Sequence, residues 1–329
     1  MNTTKIKVLV VGGAGYIGSV TNKLMEGSGY NCAVLDNLEE GLRKNIGATK
    51  LFLADIRNIK DIDKTLQAFK PDIIMHFAAY AHTDESCIDP ASYYENNVAG
   101  SINLISSALK HKVKGFIFSS SCATYGVPSY IPINENTVQN PINPYGETKL
   151  IIEKLLSDIR RLNKMQTCSL RYFNVAGATP DGNLGEEHLN EKHIIPKIFN
   201  AVIFQEEFSI FGNNYSTPDG TCIRDYVHVL DIARAHALIA DRMIKNLEYA
   251  DHYNVGTGKG YSNLQLLKII EKLTGKKINV SFKKARIGDP PILVASGAEI
   301  EKQLGFKLKY SDIDTILNTH WQFINKRKD

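Results

Sequence analysis

The chain has 329 residues, 43% of them hydrophobic and 22% charged, which suffices for one large core or two smaller ones. Its 39 Lys and Arg against 35 Asp and Glu leave a net charge of +4, scattered instead of gathered into a stripe, which argues against nucleic acid or a membrane surface as partner. No apolar run approaches the roughly 18 to 20 residues of a membrane span, and five cysteines (Cys32, Cys87, Cys122, Cys168, Cys222) without Cys-x-x-Cys spacing fit reduced thiols, so a cytoplasmic location is expected.

Short β-rich runs alternate with segments of helical period, as a parallel sheet covered by helices on both faces requires. A strand is expected over 5–11 and a helix over 17–26, then strands over 32–35 and 50–54, a helix over 59–69 and a strand over 73–78. A helix over 93–111, a strand over 115–119, a helix over 146–163 and a strand over 166–171 follow, giving a doubly wound sheet of six strands. Beyond Asn174 the pattern loosens into Gly, Asn, Asp and Pro, notably over 176–185 and 211–220. The stretch 225–256 reads again as a helix over 230–243 and a strand over 251–255, so the chain is expected to return to the sheet. The predicted organisation is α/β. A doubly wound domain comprises residues 1–175 plus about 225–258, and a smaller mixed α/β domain comprises about 176–224 and 259–329.

Directly after the first strand stands Gly12-Gly13-Ala14-Gly15-Tyr16-Ile17-Gly18, with glycines at 12, 15 and 18 opening a helix. A dinucleotide needs this arrangement: side-chain-free turns let the backbone approach a pyrophosphate while the helix N-terminus supplies amide donors. An ordinary tight turn would not require the strand before it and the helix after it, so the first domain reads as a Rossmann domain. Asp36 closes the second strand, where a carboxylate accepts from ribose hydroxyls and repels a 2′-phosphate, favouring NAD over NADP. Arg43, a few residues on, is the residue that could greet a phosphate instead.

Tyr145 and Lys149, four apart, share one face if the segment is helical from Tyr145 on. A phenol of pKa about 10 is a poor base at neutral pH, and an ammonium with a cationic nicotinamide beside it stabilises the phenolate. Upstream, the fifth strand runs out into Ser119-Ser120-Ser121, beyond the carboxyl end of a strand, where ligands bind in such sheets. A solvated Tyr–Lys pair and a serine turn are the ordinary readings of each piece alone. Glycine loop, serine and Tyr–Lys pair in this order read together as a site.

On these residues the chain resembles the extended short-chain dehydrogenase/reductase family over nearly its whole length. The resemblance is carried further by Leu35-Asp36-Asn37, Ala54-Asp55-Ile56-Arg57, His76-Phe77-Ala78-Ala79, the run from Tyr93 to Val98, Phe118 to Ser121, and Arg171-Tyr172-Phe173-Asn174. In the second half it rests on the run from Phe211 to Thr221, on Arg224 to Val229, and on Arg286 to Asp289, a set that simple dehydrogenases lack. The resemblance implies NAD-dependent interconversion of UDP-glucose and UDP-galactose, through oxidation at C4 to a 4-keto sugar and reduction from the opposite face. Gly12, Gly15, Tyr16, Ile17, Gly18, Asp36, Asn37, Asp55, Ile56, Phe77, Ala78, Ala79, Asn96, Ser119 and Tyr172 would hold NAD, together with Tyr145 as the base and Lys149 as its tuner. Ser121 would meet the sugar O4. Tyr172, Asn174, His193, Ile194, Phe211, Arg224, Tyr226, Arg286, Asp289 and Leu293 would surround the UDP-sugar, the arginines because a planar fork of donors matches phosphate oxygens. A homodimer packed through the helices over 93–111 and 146–163 is implied as well.

The sequence departs from the family at Tyr80-Ala81-His82-Thr83, where many members carry a lysine. Leu293 aligns with the position that sorts hexoses from N-acetylhexosamines, and its branched side chain should disfavour an acetamido group. Thr83-Asp84-Glu85 imitates the acid pair of sugar dehydratases but follows the fourth strand instead of the fifth. Glu187-His188 with His193 lacks tetrahedral ligand spacing, so no metal is expected. Two alternatives stay open: a 4-epimerase of another UDP-sugar (UDP-arabinose, UDP-xylose or UDP-GlcNAc), and a non-catalytic nucleotide-sugar sensor.

Overall fold

The computed structural model describes residues 5–188, 191–286 and 288–327. Its first half runs β1 (Lys7–Val11), α1 (Tyr16–Gly27), β2 (Asn31–Asp36), β3 (Lys50–Leu53), α2 (Ile59–Phe69), β4 (Ile73–His76), α3 (Thr83–Ile88), α4 (Pro90–Tyr93), α5 (Gly100–Lys110), β5 (Gly115–Ser121), α6 (Pro144–Arg161) and β6 (Gln166–Tyr172). The second continues with β7 (Asn174–Ala176), α7 (Ile194–Phe204), β8 (Phe208–Phe211), β9 (Ile223–His228), α8 (Val229–Ile244), β10 (His252–Val255), β11 (Gly260–Ser262), α9 (Asn263–Thr274), β12 (Val280–Lys283), β13 (Ile292–Leu293), α10 (Ala298–Leu304) and α11 (Ile313–Lys326).

Seven strands form one parallel sheet in the order β3-β2-β1-β4-β5-β6-β10, a Rossmann-type α/β fold. Strands buried on both faces carry continuous apolar runs, and β1 shows why: Val8 and Val10 pack on one side with Ile232 and Ile239 of α8, while Leu9 and Val11 pack on the other with Leu66 of α2 and Leu104 of α5. β10 joins the sheet beside β6, Tyr253 opposite Leu170, so the chain returns there after leaving it at Tyr172. A second sheet, β11-β9-β13 with β7 on β9, and a parallel pair β8–β12 build the other half, around a core that joins Ile198 and Phe199 of α7 to Leu266 of α9 and Ile316 of α11.

The fold departs from the predicted elements in places that matter to the site. The first strand begins at Lys7 and not at residue 5. The fourth stops at His76 instead of 78, because the amides of Phe77 and Ala78 both donate to Val11 O (2.8 and 3.1 Å), bending residues 77–79 over the glycine turn. Pairing continues two residues beyond the predicted end of β5, to Ser121 opposite Tyr172, so Ser121 sits on a strand end and not in a turn. The helix expected over 93–111 is broken by a π-helical segment, Tyr94–Ala99, that carries Asn96 and Asn97 inward. α6 begins before residue 146: Asn143 caps it by accepting from Gly146 N at 2.8 Å and Pro144 fixes its first turn, which brings Tyr145 inside the helix. Among the described residues no helix is long and apolar enough to cross a membrane.

Candidate active site

β1 is flanked by β2 and β4, whose connections leave in opposite directions, so a crevice opens at the carboxyl ends of these strands. The turn after β1 fills it with backbone. Gly12 has φ +77°, and a Cβ there would lie 2.4 Å from the amide of Ala78. A Cβ at Gly18 would meet Gly12 O at 2.2 Å, whereas one at Gly15 would find its nearest atom 3.4 Å away. Gly12 and Gly18 are therefore glycine for packing, while the bare face of Gly15 opens to a ligand. α1 starts at Tyr16 with no side-chain cap and no acidic residue in its first turn, leaving its amides and dipole to an anion.

Asp36 ends β2 buried, its carboxylate accepting from Ala14 N (2.9 Å) and Leu38 N (2.8 Å), and burial raises its pKa. Arg43 folds back to donate to Gly47 O at 3.0 Å. Arg57 is spent on Asp55 (2.6 Å) and Glu39 (2.9 Å), and it holds the Asp55 carboxyl at about 2. The adenosine end of the crevice thus presents an acid at Asp36 and no uncommitted arginine among these neighbours, as a cofactor with a free 2′-hydroxyl requires. Gly12, Gly15, Asp36, Asn37, Ile56, Phe77, Ala78, Ala79 and Asn96 line this cleft. Gly18 lies beneath it, and the Asp55 side chain is turned to Arg57 and Asn37.

On the far side of Phe77 and Ala79 opens a cavity of about 380 Å³. Tyr145 stands on its wall from the first turn of α6, with Ser121 from the end of β5. Lys149, one helical turn on and 3% exposed, donates to Ser119 O at 2.9 Å and lies 5.7 Å from the Tyr145 ring centre. Burial lowers the Lys149 pKa to about 7, against the opposing pull of Glu153, and raises Tyr145 to about 12, against the hydrogen bonding of Ser121. Tyr172 and Tyr226 point buried hydroxyls without hydrogen-bond partners at the same cavity, the condition of a wall that expects a polar ligand.

The family model described as "NAD dependent epimerase/dehydratase family" matches residues 8–256. The chain belongs to this family. It is 43% identical over 97% of both chains to a protein of Lactobacillus helveticus named UDP-glucose 4-epimerase, and 42% identical, again over 97% of both, to one of that name in Rhizobium meliloti. Among solved structures it resembles UDP-glucose 4-epimerase from Brucella ovis in complex with NAD (TM-score 0.90, 45% identity, covering 95% of this chain and 97% of that one). It likewise resembles the Bifidobacterium longum enzyme in complex with NAD+ and UDP (TM-score 0.93, 33% identity, 98% and 99%).

In this family member the remaining predicted residues line the same cavity: Asn174, His193, Ile194, Phe211, Arg224, Tyr226, Arg286, Asp289 and Leu293, together with Tyr16 and Ile17. Arg224, 8% exposed on β9, is paired with Asp289 and donates to Ile223 O at 2.8 Å. Arg286 lays its guanidinium 4.4 Å over the Phe211 ring, a stacked platform beside a cation. Asp84 also lines the cavity, on α3 after the fourth strand and 3.9 Å from Arg286.

Three features escaped the sequence. Behind Lys149, buried Glu153 binds Arg171 through contacts of 2.6 to 3.0 Å and accepts from Ser120; Arg171 donates to Tyr125 OH (2.8 Å), which in turn donates to Asn254 Oδ1 (2.7 Å). The spacing of Tyr145, Lys149 and Glu153, each four from the last, was the available signal. Buried Asp225 gathers the amides of Thr257, Gly258 and Ala295, tying β9 to the loops after β10 and β13, and nothing local in the sequence announces it. Finally, Glu187 turns outward to Lys44 and Arg327, and it is Glu186 that turns inward to His188 and His193.

Proposed function

We infer that this chain interconverts UDP-glucose and UDP-galactose as an NAD-dependent 4-epimerase. The observation that carries this is the position of Tyr145, Lys149 and Ser121 on a cavity that shares Phe77 and Ala79 with the cofactor cleft and is lined as well by Phe211, Arg224 and Arg286. NAD supplies a hydride acceptor that gives the hydride back within the turnover. Tyr145 takes the proton of the sugar O4 as C4 is oxidised and returns it on reduction, Ser121 orients that oxygen, and Lys149 with the charge of the nicotinamide brings the phenol down from about 12 toward working pH. For reduction on the opposite face the keto sugar must turn over while the UDP stays fixed. Affinity therefore belongs to the uracil platform and the arginines, and little of it to the hexose.

Gly12, Gly15, Asp36, Asn37, Ile56, Asn96 and the Phe77–Ala79 bend would hold NAD. Tyr172, Asn174, Tyr226, His193, Ile194, Asp289 and Leu293 would enclose the UDP-sugar. We further propose a NAD-binding part reaching to about residue 175 and resuming over about 225–258, a reading supported by β10 beside β6. A homodimer in the cytoplasm completes the proposal, supported by exposed Ile88 on α3, Tyr94 in the π-helical segment, Ile102 on α5 and Leu162 just after α6, and by five unpaired cysteines. Incubation with UDP-galactose should yield UDP-glucose without net NADH. Accumulating NADH, or turnover only of UDP-GlcNAc or a UDP-pentose, would move the chain to another branch of its family.

A further inference from the structure

We propose that Glu186, His188, Glu191 and His193 form a binding site for one divalent transition-metal ion of the zinc type at the lip of the substrate cavity. The four residues follow a Glu-x-His-x-x-Glu-x-His pattern, and one ligand atom from each lies within 4.8 Å of all the others. Zinc at about 2.0 to 2.2 Å from nitrogen and oxygen ligands sets their mutual separations near 3.5 Å, so small side-chain rotations close the site.

Three observations point to a cation at this place. The Glu186 side chain is 2% exposed, and its carboxylate has both histidines for neighbours, His193 in contact and His188 at 3.5 Å. A carboxylate that deep needs positive charge around it. His188 Nε2 is buried and makes no hydrogen bond, its nearest acid oxygen, Glu186 Oε1, standing 3.5 Å away, which leaves an inward imidazole nitrogen open to a closer ligand contact. Lys192, the cation nearest in sequence, is drawn away to Glu85 and does not fill the cluster.

The donor set selects the metal. Two imidazoles and two carboxylates suit Zn²⁺ or a neighbouring first-row ion, whereas Mg²⁺ and Ca²⁺ take oxygen ligands. The ring of His82 stands 5.3 Å from that of His193 and 6.4 Å from that of His188, adding a third imidazole beside the set. Four protein ligands fill a tetrahedral shell, so the ion would act as a clasp and take no part in the chemistry. It would tie the loop carrying Glu186 to the start of α7, whose His193 and Ile194 form the cavity wall.

The test uses the full-length, NAD-loaded protein dialysed against a chelator and titrated with ZnCl₂ by calorimetry, then with CoCl₂ for its visible spectrum. One zinc ion per chain and a tetrahedral-type cobalt spectrum are expected. His188→Ala and Glu191→Gln should each weaken zinc at least about tenfold while circular dichroism and NAD retention stay as in the wild type. If His188→Ala misfolds, the milder Glu191→Gln decides alone. Absence of saturable binding, zinc affinity unchanged in the substituted proteins, or displacement by equimolar Mg²⁺ would each overturn the proposal.

Discussion

The two ends of the cavity are made differently. At the reacting end, Ser121, Tyr145 and Lys149 sit on the end of a strand and the first turns of a capped helix, backed by the buried Glu153–Arg171 pair. At the nucleotide end, Phe211, Arg224, Arg286 and Asp289 come from two short strands, β8 and β9, and the segment between β12 and β13, brought together from positions far apart in the chain. Proton transfer needs fixed geometry and a dry surrounding, which regular elements supply. Recognition of a nucleotide needs several directions of approach, which short strand ends and the loops beside them supply.

Substitutions should separate the two ends. The largest effect falls on the reacting end: Tyr145→Phe should lower kcat by about 10²- to 10⁴-fold, with NAD still bound, as read by steady-state assay and cofactor absorbance after gel filtration. Next, Glu153→Ala strands Arg171 in the interior and should cost about 3 to 5 kcal/mol of stability by urea unfolding, where a surface substitution away from both sites such as Lys110→Ala should cost under about 0.5 kcal/mol. At the nucleotide end, Arg286→Ala should raise KM for UDP-galactose by about tenfold, a loss of about 1.4 kcal/mol, and leave kcat nearly unchanged. Equal losses of kcat at both ends would dissolve the distinction.

A smaller effect follows from pH. Burial depresses Lys149 from its usual 10.5 to about 7, so between about 7 and 10 the unfolded chain binds a proton that the folded chain does not. The contribution of Lys149 to folding therefore becomes less unfavourable as pH rises through that window. The stability of the wild type minus that of Lys149→Met should climb from pH 7 to 10. A flat difference would show that the ammonium is not buried as described. Smallest is Leu293→Ala, expected to shift kcat/KM toward UDP-GlcNAc by about tenfold or less.

The same division explains what the sequence revealed. The sheet, the glycine turn and the Tyr145–Lys149 face were legible because periods of two and of about four are local signals. The ends of β4 and β5 were misplaced by two residues, since those bounds depend on which carbonyl Phe77 and Ala78 find and on how far β6 stays in register. The α3 helix and strands β7 to β9 gave no periodic signal, being three to six residues long. Asp225 was opaque for another reason: its partners lie 32 to 70 residues away, joined only by the folded loops. At the nucleotide end the residues were readable only through the family resemblance, because no spacing connects Phe211 to Arg286.

The most direct test of the account follows a label at the carbon that reacts. UDP-galactose carrying deuterium at C4 is converted in ordinary water, and the product is examined by NMR. Because a hydride leaves C4 and comes back to it inside a closed site, deuterium should remain at C4 of UDP-glucose, with slower turnover than the unlabelled sugar. Loss of the label to solvent would mean that C4 exchanges a proton, and would contradict the roles given to Tyr145, Lys149 and NAD.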